Sequence, residues 1–118
     1  LSDAPRIEDV LKDYLSNQQG GSRDADEKLC TLLLEFSELL FGENEDQKED
    51  RITLKNLGSF ELDEFLHFFL TDMHPDDSLV QSRAKDFLKR FRKFLEKRNL
   101  LGKAQLEDWK EFFQENGI

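Results

Sequence analysis

The fold is decided by the stretch Ala84-Lys85-Asp86-Phe87-Leu88-Lys89-Arg90-Phe91-Arg92-Lys93-Phe94-Leu95-Glu96-Lys97-Arg98-Asn99-Leu100-Leu101. Ala84, Phe87, Leu88, Phe91, Phe94 and Leu95 recur at steps of three and four, and each position between them is polar or charged. That is the period of an α-helix with one apolar face; a half-buried strand would alternate by twos. The spacing predicts a helix over residues 78–99, roughly 30 Å long at 1.5 Å per residue. Asp76, Asp77 and Ser78 are cap candidates at its start and Gly102 is a stop at its end.

The same period continues on both sides. Over residues 6–16, Ile7, Val10, Leu11, Tyr14 and Leu15 form one stripe, and residues 17–24, with Gly20-Gly21 at their centre, read as a flexible loop. Over residues 26–41 the stripe is Leu29, Leu32, Leu33, Phe36, Leu39 and Leu40, widened by Cys30, Leu34 and Phe41 and closed by Gly42. Residues 43–50 read as an acidic surface loop, and residues 51–54 are the only piece with a strand-like look. A third helix over residues 60–72 turns Leu62, Phe65, Leu66 and Phe69 inward, with Phe68 and Leu70 at its sides, and Pro75 stops it. The last, over residues 104–116, aligns Leu106, Trp109, Phe112 and Phe113, where Trp109 is expected to staple the helix to the core. The expectation is all-α: a bundle of four long amphipathic helices plus a short C-terminal helix, in one domain spanning residues 1–118. The sequence opens on Leu1 without a methionine, which leaves room for a longer parent protein.

Apolar residues make up 37% of the chain and include 11 Phe, enough to build a core, while 36% of residues are charged. A single cysteine, Cys30, cannot form an internal disulfide, and no leader or membrane-length apolar run is present, so a soluble, cytoplasmic protein that does not enter membranes is expected. The net charge of −9 is unevenly spread: residues 83–103 hold nine basic and two acidic side chains, a local +7, against −16 for the remainder. The overall field repels nucleic acid, but the helix over 78–99 is a basic island.

Catalytic and metal chemistry finds little support. His67 and His74, with Asp72, Asp76 and Asp77 nearby, match no metal-ligand spacing and read as a capped turn. Residues 43–50 lack the central Gly and terminal Glu of a calcium loop. Neither Gly20-Gly21 nor Leu57-Gly58-Ser59 leads into the Lys and Ser or Thr of a phosphate cradle, and Cys30 sits in a Leu run without a partnering base. The expectation is a non-enzymatic interaction module with no cofactor and no metal. Its candidate partner-binding residues are Lys85, Lys89, Arg90, Arg92, Lys93 and Lys97. Lys85, Lys89, Arg92 and Lys93 fall on one flank of the buried seam, and Arg83, Arg90 and Lys97 on the other. They would serve as a solvated surface paired with residues 43–50 and other acids, or as a docking surface for an acidic protein or for phosphates.

Two stretches carry a family resemblance: Phe65-Leu66-His67-Phe68-Phe69-Leu70, and the run from Phe87 to Leu100 quoted above. This pair resembles the SAM-like helical core-binding module of tyrosine recombinases, and similar helices occur in uncharacterised prokaryotic proteins. The resemblance implies a helical bundle that clamps DNA through helix faces, which makes a nucleic-acid-binding domain working through residues 78–99 the alternative function. The recombinase catalytic domain has no counterpart here, as the only tyrosine is Tyr14.

Overall fold

Apolar stripes with a helical period and almost no β-branched alternation leave the chain one way to bury its surface, as helices packed face to face. The computed structural model describes residues 5–18, 21–41 and 52–118, and among these the regular structure is all-α. The expected acidic loop at 43–50 and the stop at Gly42 lie outside the described residues. The chain divides into two compact units, residues 1–56 and 57–118.

In the first unit, α1 (Ile7–Ser16) buries Ile7, Val10, Leu11 and Tyr14, at i, i+3, i+4 and i+7. Glu8 and Asp9 in its first turn suit the positive end of the helix dipole. Helix α2 runs over Gly21–Phe41, 21 residues, so it starts a full turn before the expected position 26, and residues 21–24 are helix rather than loop. Asp26 is buried and accepts a hydrogen bond from the Tyr14 hydroxyl at 2.5 Å. Asp26 therefore extends the buried stripe of Leu29, Cys30, Leu33 and Ser37 backwards, with a polar residue in a core position. Its partner offsets the cost of burying it. At the other end the apolar stripe departs from expectation, since Leu39 is 62% and Leu40 42% exposed while Ser37 is buried, its Oγ donating to the Leu33 carbonyl at 2.9 Å. The strand-like segment makes one antiparallel bridge, Arg6 with Thr53, with Ile7 N to Ile52 O and Leu54 N to Pro5 O both at 2.9 Å. A 3₁₀ turn, Leu54–Asn56, follows.

Cys30 lies buried one turn after Asp26. Burial and the neighbouring Asp26 and Glu27 carboxylates push its thiol up to about 12. The thiolate that alkylation needs is therefore almost absent at neutral pH. At pH 8 iodoacetamide should label the folded protein about two orders of magnitude more slowly than the protein in denaturant. Equal rates in both would show that Cys30 is accessible.

The second unit begins with α3 (Ser59–Glu64), a π-helical turn (Phe65–Phe69) and α4 (Leu70–Met73), which continue one another. This interrupted helix stands where one regular helix over 60–72 is expected. The wider turn adds a residue between buried positions, so Leu70 rather than Phe69 follows Phe65 and Leu66 into the core, and Phe68 is exposed. Inside the turn the Leu66 carbonyl accepts from Gln81 Nε2 of the next helix at 3.1 Å.

Helix α5 (Val80–Lys97) buries Val80, Ala84, Phe87, Leu88, Phe91 and Leu95. Its 18 residues make it shorter than the 21 of α2, whereas the expected order of lengths was the reverse. Gly102 does not end this helix. Asn99 takes the left-handed conformation, φ 61°, while Asn99 N bonds Glu96 O at 3.0 Å and Leu100 N bonds Leu95 O at 2.9 Å. These paired bonds satisfy carbonyls of the last turn, and asparagine tolerates the positive φ better than most side chains. Gly102 instead precedes α6 (Lys103–Glu115), its carbonyl accepting from Leu106 N at 2.8 Å. At 13 residues α6 is longer than the 10 of α1.

The start of α3 is held from α6. Gly58, the residue before α3, has no side chain to cap with, so Asp108 accepts from Ser59 N at 2.7 Å and from Ser59 Oγ at 2.8 Å, while Glu61 accepts from Gly58 N at 2.8 Å. One residue earlier, the Leu57 carbonyl accepts from Trp109 Nε1 at 2.7 Å and from Gln105 Nε2 at 3.1 Å. Trp109 is buried against Phe91, ring centroids 6.4 Å apart, and Phe113, 6.5 Å apart. The stapling role expected of Trp109 is the one it occupies within this unit.

Candidate partner-binding face of α5

With Ala84 at the centre of the buried seam, each residue of α5 advances about 100°. On that wheel Lys85, Lys89, Lys93 and Lys97 fall at roughly 100°, 140°, 180° and 220°, a row that crosses the outer face obliquely. Successive members are four residues apart, a rise of about 6 Å, so the row is about 18 Å long. Lys89, Lys93 and Lys97 are exposed and Lys85 is half-buried. Among the described residues none of the four forms an ion pair.

The arginines of the same helix behave differently. Arg92 donates from Nε to Glu96 Oε2 at 2.6 Å, and its guanidinium lies 5.0 Å from the centroid of the Phe113 ring, leaving the side chain only 23% exposed. Arg83 reaches Asp77 at 3.3 Å, and Arg98 stacks over Phe94 at 4.9 Å. These contacts use the planar guanidinium for packing and pairing. Arg90 is half-buried and engaged. The six candidates therefore separate by chemistry: four lysines in line, three exposed and Lys85 half-buried at the edge of the seam, and two arginines, Arg90 and Arg92, committed to the protein's own contacts. The expected division into two flanks differs from this arrangement, since it sets Lys97 apart from the other lysines and Arg92 among them. The every-fourth spacing is the sequence signal that joins the four.

Residues Met73 to Asp77 border an open depression, where Asp77 Oδ1 accepts from Leu79 N at 2.9 Å as a cap. His67 Nε2 is 2.6 Å from Asn116 Oδ1 and 3.6 Å from Asp63 Oδ1. Among the described residues no group of three or more His, Cys, Asp or Glu side chains is arranged to hold a metal ion, and no helix is long and apolar enough to cross a membrane. The chain matches no known protein family, no curated protein and no solved structure.

Proposed function

We propose that this chain is a non-enzymatic interaction module that docks an acidic partner protein on α5. The observation that supports this reading is the row Lys85, Lys89, Lys93, Lys97, in line and without an ion pair among the described residues. Like charges at i, i+4 destabilise a helix by about 0.2–0.5 kcal/mol per pair, and the row contains such pairs along its whole length. A partner carrying carboxylates removes that repulsion and gains steering in the encounter. The −16 on the rest of the chain favours a partner whose negative charge is confined to the row over one that extends far past it. Duplex DNA, with one charge per about 1.7 Å of axis, extends past it. The resemblance to recombinase core-binding modules supports the nucleic-acid alternative, which the same titration decides.

The test compares fluorescent polyglutamate, duplex DNA and single-stranded RNA, titrated at low and moderate salt with wild type and with K85E/K89E/K93E/K97E. None of the four side chains is buried, so the variant should keep its helical circular dichroism. The wild type should bind polyglutamate at micromolar concentrations at low salt, weaken steeply with added salt, and lose binding in the variant. Absence of polyglutamate binding, or binding that the variant retains, would overturn the reading. Tighter binding to a nucleic acid, lost in the variant, would replace it with the alternative.

A further inference from the structure

We infer that the acidic element received by α5 is itself a helix, with Asp or Glu at every fourth position, crossing α5 at about −50°; this rests on the acidic-partner reading above. The lysine row follows the i±4 ridge of α5, which is inclined by about 26° to the helix axis. A partner helix with carboxylates on its own i±4 ridge has the same inclination and the same step of about 6 Å. Facing each other, the two ridges become parallel when the axes cross at about −50°, and every carboxylate then meets a lysine.

An extended acidic segment is less suited to this face. It would be ordered only on binding, at a conformational cost for each residue fixed. Among the described residues no sheet edge is available to take up its main-chain hydrogen bonds. A helix brings its backbone already satisfied and its charges already spaced. The buried seam of α5, from Val80 to Leu95, holds the receiving row straight and fixed in the same way. Both helices carry like-charge repulsion along their ridges when apart, and docking relieves the two together.

Three alanine-based peptides test this, each with four Glu and equal net charge: one with Glu at every fourth position, one equally helical with the Glu spread around the helix, and one held extended by interspersed prolines. Affinities for the whole chain are measured at low salt by fluorescence anisotropy, with K85E/K89E/K93E/K97E as control. The in-register helix should bind about tenfold more tightly than either of the others and lose that advantage in the variant. Equal binding of all three, abolished by the variant, would overturn the helical register and leave the acidic-partner reading standing. Failure of all three to bind would overturn both.

Discussion

Trp109→Ala is expected to destabilise the protein by about 3–5 kcal/mol, a large part of the 5–15 kcal/mol typical of a folded domain. The side chain is fully buried and is the only tryptophan in the chain. Its ring fills the space beside Phe91 and Phe113, so truncation leaves a cavity lined by rings that cannot collapse into it without moving α6. Its Nε1 also donates to the Leu57 carbonyl at 2.7 Å, and losing that bond leaves the carbonyl with Gln105 alone. Trp109→Phe separates the two contributions, because it keeps most of the ring and removes the donor; it should cost roughly 1–2 kcal/mol. Urea melts followed by far-UV circular dichroism measure both, since the variants carry no tryptophan fluorescence. A loss below about 1 kcal/mol for Trp109→Ala would show that the start of α3 is not held by this residue.

Phe91→Ala should cost a similar 3–5 kcal/mol. Phe91 is fully buried, stacks on Phe87 at 5.6 Å between centroids, and meets Trp109 at 6.4 Å. It is thus where the aromatic column of α5 joins that of α6. Because the two rings share one packing site, the double variant should lose less than the sum of the singles, by about 0.5–3 kcal/mol. Full additivity would mean that the two rings occupy independent parts of the core.

The seam of α5 is legible in the sequence alone, because Ala84, Phe87, Leu88, Phe91 and Leu95 obey the helical period and nothing competes with it. The residues that escaped are those for which hydrophobicity is the wrong indicator. Asp26 occupies a core position as a polar residue, which a template that counts apolar side chains does not turn inward. The π turn hides in Phe65-Leu66-His67-Phe68-Phe69-Leu70 because almost every register of that run puts an apolar side chain inward. Gly102 is the stronger stop signal by residue type, yet Asn99 also tolerates the left-handed conformation and sits one residue past the cap. Asp108 capping α3 across 49 residues of sequence leaves no local trace. At the candidate face the lysines were all identifiable. Their alignment was obscured because an oblique row crosses the boundary between two flanks of a helical wheel, and because arginine and lysine count alike as charge although only the arginines have guanidinium planes to stack and pair.

The proposed docking of an acidic helix on the lysine row of α5 is decided by the backbone amide spectrum of the isotope-labelled chain during titration with the in-register Glu peptide. Saturable shifts should centre on Lys85, Lys89, Lys93 and Lys97 and their immediate neighbours, and should disappear when salt is raised. Shifts centred on another element, or a spectrum unchanged at saturating peptide, would contradict it.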